Sequence, residues 1–406
     1  MRELDVLFLG GLFPQEIEEE VISHSVGFVE NAANNLQWEI VKGLDKNLAS
    51  PPKILNSIFI GSFPRRYKKM KINSFEFTHF SESFKDMNVG FLNLPILKNT
   101  SRYQALKPHV KGWVDSGEER KKVIIAYSVN ATFTKLLRYA KELNDEVKTC
   151  LIVPDLPQYM NLTGKTKFFH EIYKSIQHKE IDRNLKFIDS YVLLTEQMKE
   201  ALNIIVPYVI VEGIATDLPQ EEENEKENPE IKSILYTGSL YEKYGVLDLL
   251  NAFRELEGDH LRLVICGEGE AESTIQKASE EDERILYKGL LKRMEVLQLQ
   301  KSATLLVNPR TNKGHYTKFS FPSKIMEYMS SGTPVLAYML DGIPEEYGEY
   351  IYVIDEEEGI LSKLKEVLAK EDEELKNKGV AAKKFVSEHK NNEVQVRKMV
   401  SMFNSL

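Results

Sequence analysis

Short apolar runs rich in valine, isoleucine and leucine recur along this chain with helical patterns between them, and that alternation admits few folds besides parallel sheets covered by crossover helices. The first series reads as strands at 4–10 (LDVLFLG), 54–61, 122–128, 149–154, 190–195 and 208–213. Helices fill the gaps, notably at 31–44 and 131–144. The stretch 219–232, PQEEENEKENPEIK, is too acidic and too broken by proline to enter a core, and reads as a linker or surface loop. The alternation then restarts, with strands at 233–239, 261–267, 284–289, 303–309, 334–339 and 350–355. A chain of 406 residues exceeds what one core ordinarily supports. Two series therefore predict two Rossmann-like α/β lobes, residues 1–217 and 218–385. From about Glu357 the pattern is helical, interrupted at Asn391 and Asn392, and residues 386–406 are expected to form a helix that crosses back to the first lobe.

Charge and cysteine usage narrow the function. Residues 1–217 hold 28 basic and 27 acidic side chains, whereas the remainder holds 25 against 35. A general nucleic-acid binder would be basic, so that class is disfavoured. One local exception is PRRYKKMK (64–71), where Arg65, Arg66, Lys68, Lys69 and Lys71 read either as a solvated loop or as a contact for anionic lipid or a lipid diphosphate. The two cysteines, Cys150 and Cys266, stand beside apolar strands and read as free core thiols. No run approaches the roughly 20 apolar residues of a membrane-spanning helix, and the N-terminal segment lacks a secretory pattern. The expected location is the cytoplasm, with peripheral contact at the inner face of the membrane as an extension of the basic segment.

The most informative chemistry lies in YTKFSFPSKIMEYMSSGTPV, residues 316–335. Pro322 and Ser323 are a helix start, Gly332 a stop, and Pro334 opens the next strand. On the helix, Ser323, Lys324 and Glu327 fall at about 0, 100 and 40 degrees, with Ile325, Met326, Tyr328 and Met329 on the opposite arc. A helix N-terminus offers unpaired N–H groups and partial positive charge suited to a diphosphate, and Lys324 adds a full charge there. Glu327 lies roughly 6 Å further along, close to the phosphate-to-ribose distance of a nucleotide. Two readings remain open at this point: a ribose-binding carboxylate, or a surface glutamate stabilised by the helix dipole with Ser323 as a cap.

The same segment resembles the C-terminal lobe of family 4 retaining glycosyltransferases, particularly those of bacterial capsule and exopolysaccharide synthesis. MEYMSSGTPVLA matches the helix that ends in E-A-(x)n-G-x-P-V, and Glu327 takes the place of the glutamate that binds ribose. The motif's first glutamate is replaced by Phe319. SILYTGSLYEKYGVLDLLNAF resembles the family's G-x-L turn and K-G helix start, which makes Gly238 and Lys243 candidates for the donor diphosphate, with Ser239 where many members carry arginine. DERILYKGLL matches a further segment, in which Lys288 to Leu290 would offer backbone groups to the base. DGIPEEY resembles the G-x-P-E turn, and Glu345 there is either a ribose or sugar contact or a plain helix start. The resemblance implies the GT-B fold: two Rossmann-like, doubly wound parallel-sheet lobes facing a cleft, the first on the acceptor side and the second binding the nucleotide sugar.

Other positions complete the expectation. Arg310 follows a strand at its carboxyl end, where open α/β sheets bind ligands, and reads as a phosphate contact or a structural ion pair. Glu272 stands where a dinucleotide fingerprint would need glycine, which excludes a nicotinamide cofactor at Gly267 and Gly269. In the first lobe, Gly10 and Gly11 form either a close-approach loop to donor or acceptor or an ordinary turn. Asn34 and Asn35 read as helix caps. Pro154 and Asp155 take the place of a histidine and aspartate in the family, so that Asp155 is the catalytic candidate, facing the cleft to orient acceptor or sugar. Tyr127 is a second acceptor-side candidate. The resemblance implies transfer with retention from a nucleotide-diphosphate sugar, most readily a UDP-sugar, to a saccharide or lipid-linked acceptor, without cofactor or metal. A sugar-nucleotide epimerase and a non-catalytic partner subunit are the alternatives.

Overall fold

A computed structural model describes residues 3–27, 29–80, 85–117, 120–156, 179–216, 230–313 and 317–406. Most of the acidic stretch 219–232, Tyr316 and the segment after Leu156 thus lie outside the described residues. The chain divides into two compact units, Met1–Ile214 with Asn392–Leu406, and Ala215–Asn391.

The first unit is built on strands β1 (Leu4–Gly10), β2 (Lys53–Asn56), β3 (Lys71–Ile72), β4 (Phe75–Phe77), β5 (Asp86–Asn88), β6 (Phe91–Leu92), β7 (Lys121–Tyr127), β8 (Lys148–Val153), β9 (Ser190–Leu193) and β10 (Tyr208–Ile210). Eight of them form one sheet in the order β10-β9-β8-β7-β1-β2-β5-β4, parallel except for the β4–β5 pair. Order reverses at β1, flanked by β2 and β7, which creates the topological switch point where such sheets bind ligands. Strands β3 and β6 form a separate antiparallel pair. Helices α1 (Glu18–His24), α2 (Asn31–Asn47), α3 (Leu97–Asp115), α4 (Ala131–Leu143) and α5 (Gln197–Ala201) lie between the strands. Every residue of β1 is buried, as a central parallel strand covered on both faces requires.

The second unit carries β11 (Lys232–Thr237), α6 (Val246–Arg254), β12 (Leu261–Cys266), α7 (Glu272–Glu281), β13 (Ile285–Tyr287), α8 (Arg293–Ser302), β14 (Leu305–Asn308), α9 (Ser323–Ser331), β15 (Val335–Tyr338), β16 (Tyr352–Ile354), α10 (Gly359–Leu368) and α11 (Asp372–His389). Its six strands are all parallel, in the order β13-β12-β11-β14-β15-β16, with the switch point between β11 and β14. Each lobe is Rossmann-like, and both cysteines are buried and free, one in each.

The last helix, α12 (Asn392–Ser405), belongs to the first unit. Val396, Met399, Val400 and Phe403 join Ile40, Val41 and Leu44 of α2 in one core. The helices approach closely at Gly43, where a Cβ would stand 2.4 Å from the Asn392 carbonyl oxygen. Asn392 bridges charges on α2, donating to Glu39 Oε2 at 2.8 Å and accepting from Lys46 Nζ at 2.9 Å.

Candidate functional site

The residues of the second unit assemble at the carboxyl ends of its strands. Gly238, after β11, and Gly267, after β12, are pressed together so tightly that a Cβ on Gly267 would fall 1.8 Å from the Gly238 carbonyl oxygen. Gly267 N–H donates to the Gly289 carbonyl at 2.8 Å, which ties in the loop after β13. Gly267 is thus a steric requirement where these strand ends meet, while Gly289 is held at a positive φ of +63°.

Helix α9 has the two faces its sequence predicts: Ile325, Met326, Tyr328 and Met329 are buried, while Ser323 is exposed and Lys324 and Glu327 are half-buried. Gly332 stops it with φ +85°. Pro322 occupies the N-cap position and no side chain caps the helix, so the Ser323 hydroxyl is not spent on capping. A Cβ at Gly238 would stand 3.9 Å from Lys324 Cε, which places the lysine over the glycine shelf.

Glu327 is held from two sides. Lys324 Nζ donates to its Oε1 at 2.9 Å and Gln300 Nε2 to the same oxygen at 2.6 Å, and neither bond engages Oε2. Burial pushes this carboxyl up, but the Lys324 charge, the two hydrogen bonds and the charge of Arg293 outweigh it and hold the group below the usual range. Gln300, on α8, is fully buried and also donates to Thr237 Oγ1 at 3.2 Å. Tyr328 completes the support, accepting from Thr237 N–H at 2.9 Å and donating to its carbonyl at 3.1 Å. The geometry is that of a rigid carboxylate, with Gln300 a residue the sequence reading missed. Its signal was a polar amide one turn after Leu297 on the face of α8 that meets the sheet.

Lys243 and Arg310 form a second group. Lys243 is exposed in a single 3-10 turn, its amine 5.2 Å from the Tyr244 ring centre, and the Arg310 guanidinium lies 5.2 Å from the same ring. Gly245 makes this possible: its φ of +79° turns the chain into α6, and a Cβ there would meet the Pro309 carbonyl oxygen at 2.2 Å. Tyr236 connects the two groups. Its hydroxyl is 3.4 Å from a Cβ at Gly238 and donates to the Ser239 carbonyl at 2.9 Å, while burial and Tyr244 raise the phenol and Arg310 opposes them.

Lys288 is exposed beyond β13, and its charge and that of Lys324 both act on the Cys266 thiol, which burial nevertheless pushes up to about 11. The Lys288 N–H is engaged by the Ile265 carbonyl at 3.0 Å, so Leu290, 71% exposed, is the more open end of that loop. Phe319 is buried, which turns the motif's carboxylate position into core. Gly342 closes against the Ser320 and Thr317 carbonyls, and Asn312 clasps two loops by donating to the Met339 carbonyl and accepting from Asp341 N–H. Glu345 is exposed at the start of a 3-10 turn.

In the first unit, Gly11 is buried and its N–H donates to Gln37 Oε1 at 2.7 Å. A Cβ there would strike the Phe59 ring at 2.1 Å, so this glycine serves packing, and its amide is not presented to a ligand. Asn34 is no cap. It lies inside α2 and accepts from Phe13 N–H at 2.7 Å, while Asn35 is exposed. Asp155, after β8, is exposed, yet desolvation by surrounding protein and then repulsion from Glu30 raise its carboxyl to about 6. Glu30 is itself raised by burial. Tyr127, ending β7, is buried with its hydroxyl unpartnered among the described residues, and burial, Asp155 and Glu30 all raise it. Tyr127, Asp155 and Glu30 thus gather beside the β1–β7 switch point, and Glu30 was not anticipated.

Residues 231–370 match the family model of glycosyl transferases group 1. That segment of the second unit therefore carries a group 1 glycosyltransferase domain. Among curated proteins none matches the sequence. Several solved structures share the fold over nearly the whole chain. The lipopolysaccharide outer core galactosyltransferase WaaB is 14% identical, with a TM-score of 0.59 and 99% of each chain covered. Anabaena HepE in complex with UDP is 13% identical, with a TM-score of 0.59 and coverage of 99% of this chain and 100% of that one. Starch synthase IV of Arabidopsis thaliana, bound to ADP and acarbose, is 10% identical at 0.63, again with 99% of each covered. The fold is GT-B.

Proposed function

We propose that this glycosyltransferase moves a sugar from a nucleotide-diphosphate donor, a UDP-sugar, to a hydroxyl of a saccharide or lipid-linked saccharide, in the cytoplasm and in the synthesis of a cell-surface polysaccharide such as capsule or exopolysaccharide. One observation carries the reading: at the carboxyl edge of the second sheet, Lys324 at a helix N-terminus overlies the Gly238 shelf while Glu327 is fixed through one of its oxygens. The amine and helix terminus suit the diphosphate, with Arg310 and Lys243 as further cations, and the fixed carboxylate suits the two ribose hydroxyls. HepE and starch synthase IV hold UDP and ADP in structures of this fold.

In the proposed reaction the bond from the anomeric carbon to the diphosphate oxygen breaks and a bond to the acceptor oxygen forms on the same face, with retention. The acceptor's proton passes to the departing phosphate. Charge growing on that diphosphate is stabilised by groups already in place, without a metal. Asp155, with Glu30 and Tyr127 beside it, would orient sugar hydroxyls from the first lobe.

Incubation with a panel of nucleotide sugars tests this. Slow release of free nucleotide, accelerated by a saccharide acceptor and unaffected by a chelator, is the expected result. An isomerised nucleotide sugar would make the protein an epimerase, and binding without turnover would make it a non-catalytic partner.

A further inference from the structure

Thirteen large hydrophobic side chains are exposed among the described residues, and six of them, Ile22, Val26, Met70, Leu92, Ile96 and Leu97, occupy one corner of the first unit. Ile96 is 70% exposed and Leu97 50%. They are structurally continuous. Val26 N–H donates to the Arg66 carbonyl at 3.0 Å, Asn93 N–H to the Met70 carbonyl at 2.7 Å, and Leu92 N–H to Ser101 Oγ of α3 at 2.9 Å. In the β3–β6 pair Lys71 stands opposite Leu92 on the outer face, while Ile72 and Phe91 face inward and pack with Phe13, Val21, Ile58 and Tyr67. This corner therefore has its own core, and the outer apolar residues are surplus to it.

The segment that carries Met70 is basic. Residues 61–73 contain Arg65, Arg66, Lys68, Lys69 and Lys71 and no carboxylate. All are exposed except Lys69, which is half-buried and paired with Glu20 at 2.7 Å. Lys98 does not add to the surface, because its amine turns inward to the Ile60 carbonyl. Acids of α1 stand beside the patch: Glu20 pairs with Lys69, and Glu18 and Glu19 lie one turn from Ile22 on the same helix, so the cationic rim is confined to the side formed by residues 61–73.

An apolar cluster rimmed by cations fits the boundary of an anionic bilayer, where the hydrocarbon groups enter the headgroup layer and the cations meet lipid phosphates. No helix among the described residues is long and apolar enough to cross a membrane, so the contact is of the surface kind. We propose that this corner of the first lobe docks onto an anionic lipid surface through Met70, Leu92, Ile96 and Leu97, with Arg65, Arg66, Lys68 and Lys71 against the headgroups. The proposal is independent of the donor site and is tested on binding alone.

The full chain is sedimented with vesicles of phosphatidylcholine, with or without phosphatidylglycerol, at low and raised salt. Binding to the anionic vesicles alone, weakened by salt, is expected. Arg65→Ala with Lys71→Ala should lower the partition coefficient about 25-fold, from roughly fivefold per basic residue. Leu92→Ser with Ile96→Ser should weaken binding while leaving circular dichroism unchanged. Absence of binding, equal binding to both vesicles, or indifference to both variants overturns the proposal. Self-association without lipid that the variants abolish would assign the face to a second copy, and overturns it too.

Discussion

Replacing Gln300 by leucine separates positioning from folding, because two effects on stability oppose each other at that side chain. The substitution removes the 2.6 Å bond to the Glu327 carboxylate, a charge-assisted contact of about 1.5–3 kcal/mol. It also removes Gln300 Oε1, which is buried without a partner among the described residues, and whose burial costs about 1–3 kcal/mol. The bond to Thr237 Oγ1 is lost as well, and with these effects offsetting in part, global stability should change by no more than about 2 kcal/mol. Glu327, however, loses a fixed donor and with it some of the force that keeps it ionised. Nucleotide affinity should fall about 5- to 30-fold, equivalent to roughly 1–2 kcal/mol. Since the carboxylate binds ribose only when ionised, affinity is present above its pKa and lost as pH falls through it. In the variant that loss should begin at higher pH. Calorimetric titration with UDP, ADP and GDP between pH 4 and 8 (about four units), alongside thermal melts, measures both quantities. A variant with lowered melting temperature, unchanged affinity and an unmoved pH profile would refute the reasoning.

Lys324→Ala and Glu327→Ala should each weaken nucleotide binding by about 1–3 kcal/mol, and unchanged affinity in both would remove the donor site from this helix. Gly245→Ala should cost about 1–3 kcal/mol in denaturant unfolding, because it strains a left-handed residue and drives a Cβ into the Pro309 carbonyl. Gly11→Ala should destabilise by about 1–3 kcal/mol through the Phe59 ring, with nucleotide affinity retained in the folded fraction. Asp155 has a raised folded pKa, so its protonated form is favoured by folding, and that stability is lost as pH rises through about 6. Asp155→Asn should accordingly raise the melting temperature more at pH 8 than at pH 5 (about two units above and one unit below that titration).

The long buried strands were legible because β-branched runs flanked by turns have few other uses. Strands β3 to β6 were not, since runs such as Lys71–Ile72 are too short to show a period and owe their form to pairing with distant chain. The span read as a strand over 54–61 leaves the sheet after Asn56, although Ser57 and Phe59 still bond back to Gly10 and Gly11. On α9 the helical period alone separated Glu327 and Lys324 from the core face. What the sequence concealed were the buried amides. Asn34, Gln37 and Gln300 occupy core-facing helix positions, where an apolar residue is the usual occupant, and each grips a loop or a carboxylate that only the folded chain brings near.

The placement of α12 with α2 gives the first lobe an unusual order of assembly. Its sheet is made early in the chain, but the helix that covers Ile40, Val41 and Leu44 emerges only after the whole of Ala215–Asn391 has been synthesised. During synthesis, the lobe begun first is the lobe finished last, and until then α2 presents an uncovered apolar face. The second lobe, being one uninterrupted segment, can close as soon as it leaves the ribosome. Cutting the chain just before Asn392 would therefore damage the far end of the sequence, not the neighbouring one.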